Sequence, residues 1–240
     1  MARHPRLLEV PIGFAHRGAS AQAPGNTLEA FRLAVELGAS GLESDVWVSD
    51  DGEPVLDHDG IVGGWLRRRP ISTVPRARLP EHITTLHELY AEVGDHLPVS
   101  LDIKDPDAMG PALAAADEVG ARDRLWLCNP YPDVLIPWRE RSEGAKLVVS
   151  CKLKSFKQGP ERAAADLAAA GIDAVNLHHS EWTGGLTTLF HRFGLYTLGW
   201  DVQLPRHLAE VLDLGIDGVF SDHVDRMMEA IAVETLGLSQ

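Results

Sequence analysis

The sequence predicts an α/β chain folded as a (β/α)8 barrel with a short insertion after the second strand. Three observations predict it. Eight short apolar runs recur along the 240 residues, and their starts lie at least 21 residues apart, which is room for a strand, a crossover helix and two loops. Helix-like stretches alternate with these runs, as a parallel sheet requires. No linker or low-complexity segment divides the chain, so residues 1–240 read as one domain. By pattern alone, a doubly wound open sheet is the alternative.

Taken in order, the first strand is expected at 12–15 and the first helix at 27–37, opened by the capping pair Asn26 and Glu29. The second strand, 41–48, is followed by the turn signal Asp50-Asp51-Gly52 and a short returning strand from Pro54 to His58. The segment 59–80 then carries five arginines (Arg67, Arg68, Arg69, Arg76, Arg78) against the single acid Asp59. This basic insertion in an acidic chain reads as a solvated loop, with a lid that attracts anions as its functional alternative. A helix at 84–93 leads to the third strand, 98–103, and a helix at 108–119 to the fourth, 124–128. A helix at 131–142 precedes the fifth strand, 145–150. The Ala-rich 160–170, with Pro160 at its start and Gly171 past its end, reads as a helix before the sixth strand, 173–177. The seventh strand, 195–200, a helix at 204–214, the eighth strand, 217–220, and a helix at 223–235 complete the series.

Composition narrows the function. With 35 acidic and 22 basic side chains the net charge is −13, which argues against a nucleic-acid partner. No apolar run approaches a membrane span, so no stable membrane insertion is expected. Cys128 and Cys151 read as free thiols in a reducing compartment. Met1–Val10 has no apolar signal region, so the chain reads as cytoplasmic. Oligomeric state is left open.

In such a barrel, chemistry sits at the C-terminal ends of the strands. The first strand ends in His16-Arg17-Gly18. Glu43 and Asp45 lie two apart on the second strand and so share a face; Asp102 and Lys104 do the same on the third. Glu43, Asp45 and Asp102 form a three-carboxylate cluster suited to a hard cation, Mg²⁺ or Ca²⁺. His16 and His58 sit on neighbouring strand ends and suit acid–base work near neutral pH. Arg17 and Lys104 supply positive charge for an anionic substrate. Asn26, Trp200 and His178 are candidate pocket-lining residues. Asp217 and Asp222 flank the last strand, where a structural role is at least as good a reading as a catalytic one. Metal, two histidines and two cations together describe phosphoryl transfer better than acyl or glycosyl chemistry.

His16-Arg17-Gly18, Ala23-Pro24-Gly25-Asn26-Thr27, Glu43-x-Asp45, His58-Asp59, Asp102-x-Lys104, Trp200 and Gly215–Asp222 together resemble the glycerophosphodiester phosphodiesterase family, a phosphodiesterase barrel of the phospholipase C type, over nearly the whole chain. The resemblance implies metal-dependent hydrolysis of small glycerophosphodiesters to sn-glycerol 3-phosphate and an alcohol. It implies His16 and His58 as acid–base pair, Glu43, Asp45 and Asp102 as metal ligands, and Arg17 and Lys104 on the phosphate. Two positions depart from the family pattern: Gly25 and Asp102 each stand where Glu is usual. A lysophospholipase D activity, with Ile61, Val62, Trp65 and Leu66 serving an acyl chain, and a non-catalytic glycerophosphate-binding role are the alternatives.

Overall fold

The computed structural model describes residues 4–64 and 68–236. Among these residues, eight parallel strands close into a barrel in chain order. They are β1 (Ile12–His16), β2 (Gly41–Val48), β6 (Val99–Ile103), β7 (Leu125–Asn129), β8 (Lys146–Ser150), β9 (Ala174–His178), β10 (Tyr196–Trp200) and β11 (Gly218–Ser221). β1 closes the ring by pairing with both β2 and β11. The barrel expected from the spacing of the apolar runs is therefore present.

Side-chain alternation along the strands splits the apolar residues into two cores. Ala15, Leu42, Val46, Leu101, Leu127, Val149 and Val175 face outward into the helix-covered layer. Phe14, Trp126, Cys128, Val148, Leu198 and Phe220 fill the barrel interior. There Phe14 stacks on Phe220 with ring centroids 4.7 Å apart and meets Trp126 edge-on at 5.9 Å. This aromatic layer closes the barrel from below, so polar residues two positions further along, such as His16 after Phe14 and Asp222 after Phe220, emerge above it.

Eight α-helices cover the sheet among the described residues: α1 (Leu28–Glu36), α2 (Leu86–Val93), α3 (Met109–Glu118), α4 (Pro132–Leu135), α5 (Pro160–Ala169), α6 (Gly184–Arg192), α7 (Pro205–Asp213) and α8 (Val224–Leu236). Three depart from expectation. The cap of α1 is Thr27, whose side chain accepts from the Ala30 N–H, and not Asn26, whose side chain is used elsewhere. The helix expected at 131–142 stops after one turn, because Pro137 cannot donate and passes the chain into a 3-10 turn. Helix α6 was not expected at all. Its Gly184-Gly185 and Thr187-Thr188 have poor helix propensity, but Thr183 caps it and Leu186 and Phe190 are buried beneath it.

The insertion is the main correction. β3 (Pro54–Leu56) returns antiparallel to β2, shorter than the expected Pro54–His58. A two-stranded hairpin, β4 (Ile61–Val62) with β5 (Arg69–Pro70), and two 3-10 turns follow. The described part of segment 59–80 is not wholly a solvated loop. Ile71, Val74 and Leu79 join Val55 and Ile83 in a small buried core with Trp47 and Val62 packed against it. Arg68, Arg69, Arg76 and Arg78 lie outside this core, and Arg76 is held by Glu88 at 3.0 Å. Trp65, Leu66 and Arg67 lie outside the described residues. No helix among the described residues is long and apolar enough to cross a membrane.

Candidate active site

The β1–α1 turn begins the site. Arg17 adopts φ 56° and Asn26 φ 59°, left-handed conformations that are uncommon for residues other than glycine and better tolerated by Asn than by Arg. Gly18, at φ 79°, carries the turn so close to α1 that a Cβ there would lie 2.6 Å from the Ala30 backbone, so only glycine fits. This turn aims the Arg17 N–H at Glu43, whose Oε2 accepts it at 2.9 Å.

Asp45 and Asp102 stand side by side in the β2–β6 register. Asp45 is 2% exposed, and its oxygens are taken up by three groups. Lys104 Nζ lies 3.0 Å from Oδ1. Asn26 Nδ2 donates to Oδ2 at 3.2 Å. Arg17 Nε is also 3.2 Å from Oδ2, though not aligned for a hydrogen bond. Lys104 bridges across to Asp102 at 2.8 Å. Burial works against the Lys104 charge, but the two carboxylates overcome it and hold its pKa above the ordinary value.

His16 stands at the barrel mouth with Nδ1 2.6 Å from Asp222 Oδ1 and Nε2 3.9 Å from Glu43 Oε2. Burial disfavours its charged form, yet Glu43 and Asp222 outweigh it, so its pKa is raised. Burial also pushes the Glu43 carboxyl up to about 7. The carboxylates of Asp45 and Asp102 add to that, against the opposing pull of His16 and the Arg17 amide. Asp222 is lowered, first by its bond with His16.

A cavity of about 230 Å³ opens above the aromatic layer. His16, Glu43, Asp102, Trp200 and Asp222 line it, and Phe220 and Cys128 lie at its apolar side. Asn176 also lines it, and its buried Oδ1 has no hydrogen-bond partner among the described residues.

Two expected lining residues do not line this cavity. Asn26 is buried and bridges outward, accepting from Ser44 Oγ at 2.7 Å while holding Asp45. His178 packs edge-on against Trp200 and pairs with Asp201. His58 follows β3 in a turn fixed by Asp57, whose carboxylate accepts from the Asp59 and Gly60 amides at 2.9 and 2.7 Å. Its ring is half-exposed, outside the cavity lining, with Nδ1 2.7 Å from Asp59.

Gln203 and Asp201 line the cavity and were not singled out in the sequence, while Asp222, for which a structural and a catalytic reading both stood open, lines it as well. Gln203 Oε1 accepts the Asp222 N–H at 2.9 Å and so sets that residue's position. The available signal was parity: Asp222 falls two residues after interior Phe220. Asp217, the other acid beside the last strand, is structural. It sits at the opposite end of β11, where one oxygen accepts the Leu7 and Leu8 amides at 2.7 and 3.0 Å.

No group of three His, Cys, Asp or Glu side chains among the described residues is arranged as a ready metal cage. By donor chemistry, Glu43, Asp45 and Asp102 fit a hard divalent cation. Glu43 and Asp102 face the cavity, while Asp45 stands behind them on Lys104 and Arg17.

Comparison with known proteins gives a consistent picture. Residues 16–226 match the model of the glycerophosphoryl diester phosphodiesterase family. The glycerophosphodiester phosphodiesterase of Caldanaerobacter subterraneus subsp. tengcongensis is 32% identical over 242 residues, covering 90% of this chain and 96% of that protein. The crystal structure of the Thermotoga maritima glycerophosphodiester phosphodiesterase superposes with a TM-score of 0.78 at 26% identity, over 91% of this chain and 97% of the other. An Oleispira antarctica phosphodiesterase in complex with the product sn-glycerol-3-phosphate shares the fold, with a TM-score of 0.80 at 22% identity over 93% and 97% of the two chains.

Proposed function

The chain belongs to the glycerophosphoryl diester phosphodiesterase family, and from that membership we propose that its barrel mouth hydrolyses glycerophosphodiesters to sn-glycerol 3-phosphate and an alcohol by metal-dependent His16/His58 acid–base catalysis. The observation that carries the reading is the setting of His16. Its Nδ1 is engaged by Asp222, which leaves Nε2 on the side of Glu43 and the cavity. An imidazole fixed in this way offers one defined nitrogen for proton transfer.

His58 carries the same device, with Asp59 on its Nδ1. In this reading one ring removes a proton from the nucleophile and the other protonates the leaving alkoxide, which otherwise departs poorly. Arg17 and Lys104, anchored on Asp45, place positive charge beside the reacting phosphate.

A bound Mg²⁺ or Ca²⁺ would add neutralisation of charge at a phosphoryl oxygen. Glu43 and Asp102 would hold it, with Asp45 as the third carboxylate. Three crowded carboxylates, one of them with its pKa raised, are the kind of setting a cation relieves.

The test is release of glycerol 3-phosphate from a panel of glycerophosphodiesters with Mg²⁺, Ca²⁺ or EDTA, beside the His16→Ala variant. We expect release that EDTA abolishes and that His16→Ala lowers by about 10²-fold or more with the fold intact. Equal release in EDTA would remove the metal from the reading. Near-normal turnover of the variant would remove His16.

A further inference from the structure

On the other side of strands β7 and β8 from the catalytic cavity lies a second one, of about 730 Å³. That is within the range of small-molecule sites. Strand alternation separates the two: Cys128 and Ser150 face the catalytic cavity, whereas Val149 and Cys151 face the second. The second cavity has an apolar body, formed by Val149, Phe156 and the Pro130-Tyr131-Pro132 turn. Tyr131 is 67% exposed, a large aromatic left uncovered at the edge.

Its rim is basic. The chain has only five lysines, and three of them, Lys152, Lys154 and Lys157, fall within six residues. All three line this cavity. In a chain of net charge −13 this is a local reversal of sign. Among the described residues none of the three has an ion-pair partner. Glu181, the acid that reaches this loop, is engaged by the Leu153 N–H at 3.1 and 3.2 Å.

We propose that this cavity binds a small amphiphilic anion, its apolar body against Phe156, Tyr131 and Pro132 and its acidic head on Lys152, Lys154 and Lys157. A neutral apolar ligand would leave the lysines unused, and a bare inorganic anion would leave the apolar wall wet. A cationic amphiphile would meet like charge. The head is a carboxylate or a phosphate monoester, both of which lysine binds as a point charge. The inference is independent of the catalytic reading, because the two cavities occupy opposite faces of the strand pair.

Calorimetric titration of the full chain with decanoate and with decyl phosphate, each below its micelle concentration, tests it. Decanol and decyltrimethylammonium serve as controls. Cys151 provides a local reporter, since this residue lines the cavity and Cys128 does not. We expect at least one of the two anions to bind and to slow N-ethylmaleimide labelling of Cys151. The triple variant Lys152→Gln, Lys154→Gln, Lys157→Gln should bind it about tenfold or more weakly while keeping wild-type folding. Binding of decanoate alone identifies a carboxylate head, and of decyl phosphate alone a phosphate head. No binding by either anion, equal binding of decanol, binding without protection of Cys151, or undiminished binding by the triple variant would each overturn the proposal.

Discussion

His16 Nδ1 and Asp222 Oδ1 lie 2.6 Å apart, although 206 positions separate the two residues in the chain. The contact ties the end of the first barrel strand to the end of the last, at the seam where the barrel closes. Asp222 also accepts from Ser20 Oγ at 2.9 Å, so its carboxylate is held from two sides. Asp222→Asn keeps size and shape but offers Nδ1 an amide in place of a carboxylate, which disturbs the tautomer. We expect kcat to fall by roughly 10²-fold, with KM and thermal melting little changed. Wild-type turnover would take Asp222 out of the site.

Lys104 is expected to matter for stability as well as for phosphate binding. It joins two adjacent carboxylates, Asp45 and Asp102, and Asp45 is almost wholly buried. Lys104→Met leaves like charges side by side. Arg17 and Asn26 remain on Asp45, and Asp102 is a third exposed, so the loss should lie at the low end for a broken buried pair, about 3 kcal/mol. Adding Asp45→Asn should recover part of it. Urea denaturation of the single and double variants measures both. A loss below about 1 kcal/mol would place the bridge with ordinary surface pairs.

The barrel was legible because its signal is repetitive: each apolar strand core, such as Leu125-Trp126-Leu127, is short and regularly spaced. Glu43, Asp45, Asp102 and Lys104 were legible because alternate positions on a strand share a face. Gln203 and Asp201 were not, and for Asp222 the sequence left a structural and a catalytic reading open. Their importance arises from contacts across the barrel seam and mouth, to which spacing along one strand is blind. Asn26 misled for a related reason. Its type suits a helix cap, but its left-handed backbone turns the side chain toward Asp45 and Ser44, and Thr27 takes over the cap. Helix α6 was hidden because tertiary burial of Leu186 and Phe190 overrides weak local propensity.

Helix α2 makes a pH-dependent contribution whose sign is fixed by its cap. Thr85 and Glu88 form a reciprocal capping box, and Arg76 adds a two-pronged contact at 3.0 and 3.1 Å. Burial pushes the Glu88 carboxyl up, but the Thr85 amide and Arg76 outweigh it, so its pKa is lowered. A lowered carboxyl stabilises the fold above its unfolded pKa and loses that contribution as pH falls through its folded pKa. The stability gap between wild type and Glu88→Gln should therefore be constant near neutrality and shrink as the solution is acidified below the ordinary glutamate range. A gap of unchanged size in strong acid would contradict the assignment. Thr85→Ala should cost about 1 kcal/mol.

The insertion gives the last prediction, because its sequence and its structure point in opposite directions. Arg68, Arg76 and Arg78 make it a rich target for trypsin if it behaves as an open loop, whereas Arg69 precedes Pro70 and is not a cleavage site. In the fold it rests on the core of Val55, Ile71, Val74, Leu79 and Ile83, and Ile71 is wholly buried. Gly60 packs against the Trp47 indole so closely that a side chain there would collide with the ring. Ile71→Ala removes the centre of this small core, at a cost of about 2–5 kcal/mol for a buried isoleucine. The outer barrel core, built from residues such as Leu42, Leu101 and Val149, does not include Ile71. The loss should therefore appear mainly as local opening. Limited trypsin digestion should leave wild-type protein intact and cut the variant first after Arg76 or Arg78, with far-UV circular dichroism little changed. Equal digestion of both proteins would mean that the insertion opens without needing its core to break.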